Sequence, residues 1–210
     1  MPRDIEMQTK EHWERVYAAR RNDELSWFQT HAERSVRLIT ECGTDPAAPL
    51  VDVGGGASTL VDDLLARGFG RVTVLDLSAR ALEAARTRLG PKADTVEWLV
   101  GDVTALQLPA ERFALWHDRA VFHFLLDATV RKAYVEQTLH AVREGGHLII
   151  ATFAEDGPQQ CSGLPVVRYS VDALHAEFGD RFTLLKSERE IHRTPAGSEQ
   201  AFNYCVMRKG

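Results

Sequence analysis

The chain has 210 residues, of which 44% are apolar and 26% charged, and this balance suits one globular domain with a full hydrophobic core. Its net charge of −5 offers no basic face to nucleic acid, and no apolar run approaches the roughly 20 residues of a membrane-spanning helix. The N-terminus lacks the apolar core of a secretory signal, and the cysteines (Cys42, Cys161, Cys205) are odd in number without a CxxC pair. We therefore expect a cytoplasmic protein without disulfides, metal, nucleic-acid partner or membrane partner.

Hydrophobic spacing and glycine or proline breaks predict helices and strands that alternate through the middle of the chain. The predicted helices are residues 9–20, 32–40, 59–67, 79–89, 129–142 and 171–178. The predicted strands are residues 50–53, 71–77, 95–100, 113–118, 147–153, 182–187 and 201–207. This alternation predicts an α/β fold with a mostly parallel sheet covered by helices on both faces.

A glycine turn directly after the first strand is the most informative segment of the chain. Gly54 and Gly56 let the backbone approach a ligand where a Cβ would block it, and the helix that follows points its N–H groups at the same place. In a dinucleotide-binding turn, a third small residue allows close packing of helix and strand. The equivalent position here is Thr59, which is β-branched. The turn therefore predicts a nucleoside-bearing cofactor but argues against a dinucleotide.

Three carboxylates accompany this turn in sequence order. Asp52 precedes it, Asp76 ends the second strand and Asp102 follows the third strand. These acids would repel a pyrophosphate, whereas they suit a cofactor with a cationic amino-acid end, a ribose diol and an adenine amino group. For any one of them a helix cap is an alternative role, and Asp52 could instead organise the turn.

With the motifs VDVGGGAS, VLDLS and GDVTAL, the chain resembles the class I S-adenosylmethionine-dependent methyltransferases from about residue 50 to 153. The resemblance implies a single doubly wound, seven-stranded, mostly parallel sheet with an antiparallel last strand. It implies S-adenosylmethionine as cofactor and S-adenosylhomocysteine as product. By the same likeness, Asp76 would accept both ribose hydroxyls and Asp102 would face the adenine amino group. The residues expected at the cofactor are Trp27, Asp52, Gly54, Gly55, Gly56, Ser58, Asp76, Leu77, Gly101, Asp102, Val103 and His117.

The segment after the fourth strand carries the candidates for the methyl acceptor, because the resemblance places this strand end opposite the sulfonium methyl. His123 is the favoured proton acceptor, since an imidazole with a pKa of about 6.5 is matched to neutral pH. His117 and Asp118 are the other catalytic candidates, and Arg119 and Phe122 are candidates for substrate binding. Each has a structural alternative: a hydrogen bond for His117, an ion pair between Asp118 and Arg119, and core packing for Phe122. The Asn/Asp-Pro-Pro-aromatic motif of amide and cytosine methyltransferases is missing here, which argues against a nucleobase acceptor.

The loop at residues 156–169 is long for a compact domain and predicts a lid over a small substrate. Arg168 and Tyr169 at its end are candidates for binding an anionic substrate. We therefore predict one domain over residues 1–210, with a helical cap at 1–49, a cofactor-binding core at 50–153, and an acceptor-side loop and terminal strands at 154–210.

The N-terminal aromatic segment, with Trp13 and Trp27, resembles the entry segment of the citrate synthase and elongation factor lysine methyltransferases. That subgroup has Asp-Lys-Gly-Thr where this chain has His-Asp-Arg-Ala at residues 117–120. A thiol with a pKa of about 8.5 ionises far more readily at neutral pH than a lysine amine at about 10.4. We expect methyl transfer to a small molecule with a sulfur or nitrogen nucleophile. Methylation of a protein lysine is the alternative, and a nicotinamide-dependent oxidoreductase or a non-catalytic nucleoside-binding protein is more distant. The assembly is expected to be a monomer or a homodimer.

Overall fold

The structure is a computed structural model that describes the backbone of residues 2–210 and the side chains from Lys10 onward. The α-helices are α1 (Pro2–Ala19), α2 (Glu33–Glu41), α3 (Leu60–Ala66), α4 (Ala79–Leu89), α5 (Ala128–Ala141) and α6 (Val171–Phe178). The strands are β1 (Leu50–Val53), β2 (Val72–Asp76), β3 (Glu97–Val100), β4 (Phe113–Arg119), β5 (Val142–Phe153), β6 (Gln160–Cys161), β7 (Leu164–Pro165), β8 (Phe182–Arg193) and β9 (Glu199–Lys209).

Seven strands form one sheet in the order β3-β2-β1-β4-β5-β9-β8. The pairs among β1 to β5 are parallel, whereas β9 is antiparallel to both β5 and β8. This confirms the predicted seven-stranded, mostly parallel sheet with an antiparallel last strand. The strand order reverses between β1 and β4, so their carboxyl ends flank the crevice in which ligands of open α/β sheets bind.

Two hydrophobic cores cover the two faces of the sheet, as predicted. Helices α2, α3 and α4 pack on one face, where Leu50, Leu115 and Ile149 point. Helices α5 and α6 pack on the other, where Val51 and Trp116 point. Because successive side chains of a strand alternate between faces, this register assigns every residue of β1 and β4 to one core or the other.

The second half of the sheet differs from the prediction in the length of its strands. β5 begins at Val142, five residues before the predicted start, and its pairing with β4 shifts register between Phe113↔Val142 and Leu115↔His147. β8 and β9 pair from Phe182↔Lys209 to Arg193↔Glu199, so β8 extends six residues beyond the predicted end at residue 187. Charged residues in the second half of β8 interrupt the alternating pattern of a strand, so the prediction ended at residue 187. They are tolerated because β8 is an edge strand, where Glu188 forms ion pairs with arginines of α2.

The loop between β5 and α6 contains a small hairpin, in which Cys161 of β6 pairs with Leu164 of β7. Its end is attached to the turn after β4 by a hydrogen bond from the Val167 N–H to the His123 carbonyl (2.8 Å). Among residues 2–210, no helix has the length and apolarity needed to cross a membrane.

Candidate functional site

The glycine turn joins β1 to α3 with backbone angles that favour glycine. Gly54 and Gly56 have φ of 66° and 43°. A Cβ on Gly55 would overlap the Asp52 carboxylate, and one on Gly56 would lie 2.7 Å from Oδ2 of Asp76. The turn thus brings the backbone against two of the three predicted carboxylates.

Arg88 of α4, which the sequence did not single out, holds the outer side of this turn. Its guanidinium donates to the carbonyls of Ala57 (2.8 Å) and Ser58 (2.6 Å) and forms an ion pair with Asp62 (2.6 Å). These contacts hold the turn's carbonyls away from the crevice. Within the described part of the chain, the N–H groups of Gly55 and Gly56 donate to no backbone carbonyl. Two amide donors are therefore left for an anionic group.

Asp76 ends β2 and is 7% exposed. Its Oδ1 accepts the Ser78 N–H (2.8 Å), and burial raises the pKa of the carboxyl to about 7. The Asp76 carbonyl accepts the Gly101 N–H (3.0 Å), which brings the end of β3 beside that of β2. Leu77, directly after Asp76, is half-buried at the same edge.

Asp102 lies beyond β3 with one carboxylate oxygen already committed. Its Oδ1 accepts both the N–H (2.8 Å) and the hydroxyl (2.7 Å) of Thr104. Val103 is buried next to it. Asp102 therefore organises its own turn through Oδ1, as the helix-cap alternative predicted, and its Oδ2 has no hydrogen-bond partner among the described side chains and backbone.

Asp52 and His117 lie opposite each other on β1 and β4 and are buried together. Nδ1 of His117 lies 2.7 Å from Oδ1 of Asp52, and Nε2 lies 2.9 Å from the Ser35 hydroxyl. Ser35 is on the buried side of α2, between the sheet and the helix. No motif or spacing in the sequence connects it with residues of β1 and β4.

Asp118 points to the opposite face from His117, because adjacent residues of a strand alternate. Its carboxylate accepts the N–H groups of Val121 (2.9 Å) and Phe122 (3.1 Å) and the hydroxyl of Tyr134 (2.6 Å). Burial raises its pKa to about 6 against the lowering effect of these bonds. The carboxylate secures the turn after β4 and is fully enclosed, so this geometry does not support its candidacy as a catalytic base.

His123 and Phe122 are both fully buried. Nδ1 of His123 accepts the Phe153 N–H (3.3 Å), and burial lowers the pKa of the imidazole to about 3, helped by nearby Arg119. An imidazole with so low a pKa has little affinity for a proton at neutral pH and is therefore a poor base. Phe122 packs against Tyr134 and other aromatic rings of the α5–α6 core, away from the crevice. Both side chains are thus enclosed, so this geometry does not support the prediction that they face the acceptor.

Arg119 shares the His117 face of the sheet, and each nitrogen of its guanidinium donates one hydrogen bond to a protein group. It donates to the Tyr204 hydroxyl (2.9 Å), to Glu190 (3.3 Å) and to the Trp27 carbonyl (3.4 Å), and it covers the Phe202 ring at 4.3 Å. It therefore ties the N-terminal segment to β8 and β9 and pairs with Glu190, not with Asp118.

Arg168 and Tyr169 do not join a site with Arg119. Arg168 is exposed and donates to the Gly157 carbonyl (3.3 Å). Tyr169 is 3% exposed and directs its hydroxyl towards Glu177 (3.4 Å). Neither residue is placed to bind an anionic substrate beside the crevice.

The N-terminal helix α1 lies across the carboxyl edge of the sheet. Tyr17 places its hydroxyl 2.9 Å from where a Cβ on Gly56 would be. Glu14 accepts the Ala79 N–H at the start of α4 (2.7 Å) and pairs with Arg80 (3.3 Å). These contacts place α1 directly over the ends of β1 and β2.

An aromatic cluster continues this cover towards β4. Trp13 packs edge to face on Trp27 (centroids 5.7 Å apart) and on Phe124 (5.2 Å). Beneath it, a pocket opens between the N-terminal segment and the sheet. Its polar lining consists of Asn22, Gln29, Ser35, Asp52, Ser58, His117 and Arg119. In the part of the chain with described side chains, no group of three or more His, Cys, Asp or Glu residues could hold a metal ion.

Residues 50–146 match the sequence model of a family described as a methyltransferase domain. This match coincides with the turn, the carboxylates and the parallel strands described above. The segment therefore resembles a methyltransferase domain. The match ends before β8 and β9. The residues before 50 and after 146 therefore lie outside the matched segment.

Known proteins of similar sequence and fold agree with this assignment. Over 110 residues the chain is 31% identical to a ubiquinone/menaquinone biosynthesis C-methyltransferase, UbiE, of Paracoccus denitrificans, covering 50% of this chain and 42% of that protein. The chain thus spans less than half the length of this curated relative.

Solved structures share the fold at lower identity. A methyltransferase from Anabaena variabilis superposes with a TM-score of 0.73 at 16% identity, covering 96% of this chain and 95% of its own. The N-methyltransferase NodS of Bradyrhizobium japonicum, in complex with S-adenosylhomocysteine, gives 0.65 at 17% identity over 84% and 86%. A structure from work on converting a disulfide bond into a thioacetal in echinomycin biosynthesis gives 0.77 at 19% over 95% and 91%.

Proposed function

We propose that this protein transfers a methyl group from S-adenosylmethionine to a small-molecule acceptor with a sulfur or nitrogen nucleophile. The observation that carries the proposal is that two backbone amides and two carboxylates meet at the ends of β1 and β2. They are the N–H groups of Gly55 and Gly56 and the carboxylates of Asp52 and Asp76. Together they complement an amino-acid end and a ribose diol of one ligand.

The residues present fit this cofactor. The free amides suit a carboxylate, Oδ2 of Asp52 beside Gly55 suits an ammonium, and Oδ2 of Asp76 suits ribose hydroxyls. Ser58, Leu77, Gly101, Asp102, Val103 and Trp27 complete the proposed binding set. When bound, the cofactor supplies an activated methyl on a sulfonium, so the protein mainly has to align the acceptor and exclude water.

The acceptor class is argued from which groups can move a proton. His123 is neutral and enclosed, and Asp118 is held by three donors. Among the predicted bases, only His117 lines the pocket, and both of its ring nitrogens have partners. An acceptor that presents a lone pair with little help therefore suits the site, and thiols meet this condition best.

The size of the acceptor is argued from the cover over the pocket. Residues 1–49 include the cap formed by α1 and the aromatic cluster, and the β6–β7 hairpin lies on the same side as His123. An enclosed crevice favours a small molecule over a protein segment. NodS and UbiE are N- and C-methyltransferases by name, which is consistent with small-molecule chemistry on this fold.

The first test is direct binding, followed by transfer of label. Calorimetric titration should show binding of S-adenosylhomocysteine, and Asp76→Ala should weaken it about 10- to 100-fold, since hydrogen bonds to a charged acceptor contribute about 1.5–3 kcal/mol. Asp180→Ala, an exposed acid before β8, is the matched control. No binding by the wild-type protein would refute the proposal.

The second step incubates methyl-labelled S-adenosylmethionine with thiols, amines and a protein lysate. Label in small or volatile products supports the proposal. Label in a protein band would favour the lysine alternative, and binding without any transfer would favour a nucleoside-binding protein.

A further inference from the structure

Ser35, His117 and Asp52 form a continuous buried chain of hydrogen bonds from three separate elements. The Ser35 hydroxyl and Nε2 of His117 are 2.9 Å apart, and Nδ1 of His117 and Oδ1 of Asp52 are 2.7 Å apart. Ser35 is 1% exposed, His117 2% and Asp52 3%. Such a chain, closed to solvent, fixes the position of its terminal carboxylate.

The direction of the bonds follows from the chemistry of the groups. A buried carboxylate only accepts, so Nδ1 of His117 must donate its proton to Asp52. In the neutral imidazole, Nε2 then becomes the acceptor, and the Ser35 hydroxyl donates to it. Ser35 therefore stabilises the one neutral tautomer that can hold Asp52.

The other oxygen of Asp52 is directed at the glycine turn, since a Cβ on Gly55 would overlap Oδ2. The free N–H groups of Gly55 and Gly56 lie in the same turn. A carboxylate oxygen next to two amide donors is complementary to a zwitterionic α-amino acid group, with its ammonium at Asp52 and its carboxylate at the amides.

We propose that Ser35 is a positioning residue which, through His117, aims Asp52 at the aminoacyl end of the cofactor. The inference rests on the proposed function. It adds that α2, outside the motif-bearing strands, sets the affinity for that end alone. Ser35 contributes nothing to the nucleoside end, which Asp76 and Asp102 serve on the other side of the turn.

The test compares two ligands that differ only in the aminoacyl end. S-adenosylhomocysteine and 5′-methylthioadenosine are titrated calorimetrically into the wild type and into Ser35→Ala. We expect Ser35→Ala to weaken S-adenosylhomocysteine about three- to tenfold, the size of one hydrogen bond, and to leave methylthioadenosine within about twofold. Thr138→Ala, which removes an equally buried hydroxyl from α5, should change neither.

A pair of His117 variants covers the case in which Ser35→Ala does not fold. The amide of Asn reaches the Nδ1 position and that of Gln reaches the Nε2 position. His117→Asn should therefore keep more of the preference for S-adenosylhomocysteine over methylthioadenosine than His117→Gln does. Equal preferences in the two variants would overturn the proposal.

The remaining outcomes distinguish failure of the Ser35 positioning role from failure of the proposed function. Unchanged binding of S-adenosylhomocysteine by folded Ser35→Ala, or an equal loss for both ligands, overturns the positioning role. Failure of the wild type to bind either ligand overturns the proposed function itself.

Discussion

The ends of β1 and β2 and the end of β4 lie side by side, yet their polar groups are used in opposite ways. At β1 and β2 the turn leaves two amides and two carboxylate oxygens without protein partners among the described residues. After β4, the Asp118 carboxylate accepts three protein donors, and Arg119 donates to protein groups from several elements. Polar density in a sequence therefore marks a ligand site only where the fold leaves hydrogen-bonding capacity unused.

The largest effect is expected from Asp118→Ala, which tests whether the carboxylate after β4 serves stability and not ligand binding. It would leave three buried donors without an acceptor, so we expect the free energy of unfolding to fall by about 3–5 kcal/mol. Urea denaturation measures this. Affinity for S-adenosylhomocysteine, per folded molecule, should stay within about twofold. An intact fold with lost methyl transfer would instead place Asp118 in the chemistry.

Asp76→Asn tests the proposed contact of Asp76 with the ligand through the pH dependence of affinity. The pKa of Asp76 is raised to about 7, so the folded protein holds this proton below neutral pH and its stabilising effect is lost as pH rises through 7. Ribose hydroxyls need the ionised form. Wild-type affinity for S-adenosylhomocysteine should then fall up to about tenfold per pH unit below 7, while that of the Asn variant stays flat. Calorimetry between pH 5.5 and 8.5 decides, and parallel profiles would refute the assignment.

His123→Gln tests whether the acceptor-side histidine is structural. Its folded pKa of about 3 lies below the ordinary value of 6.5, so the unfolded chain binds the proton first and the wild type loses stability as pH falls below 6.5. Between pH 7 and 5 this loss should reach about 2 kcal/mol and be absent from the variant. Chemical denaturation at several pH values measures the difference. A stability gap independent of pH would show that His123 titrates normally.

The smallest effect is expected from Arg88→Ala. The substitution removes the donor to the carbonyls of Ala57 and Ser58, so the N–H groups of Gly55 and Gly56 should be held in position less firmly. Because Arg88 is partly exposed, we expect only about threefold weaker binding of S-adenosylhomocysteine. Arg86→Ala, on the same helix with an exposed partner, serves as control. Equal effects of the two variants would assign the change to surface charge.

The cofactor side could be predicted from sequence because its signals are local. Gly54, Asp76 and Asp102 each lie at or just after the end of a strand, and the ends of neighbouring parallel strands must meet at one edge. The sheet order and the antiparallel β9 agree with the fold implied by the motifs, whereas the length of β8 was missed because charges on an edge strand blur its pattern.

The acceptor side resisted prediction because its outcome depends on distant partners. His117 contacts Ser35 across 82 residues, and Asp118 is satisfied by Tyr134 of a later helix. Residue type alone also gave no sign that His123 would be enclosed. Strand alternation was the one usable signal: it places Asp118 opposite to His117 and Arg119, and applying it to residues 115–119 would have divided the cluster correctly.

The position of β9 between β5 and β8 has a consequence for the order in which the sheet forms during synthesis. β8 joins the sheet only through β9, which itself pairs with β5. Residues 182–193 therefore leave the ribosome before the strand that will hold them exists. The far edge of the sheet therefore forms only after residues 199–209 have emerged.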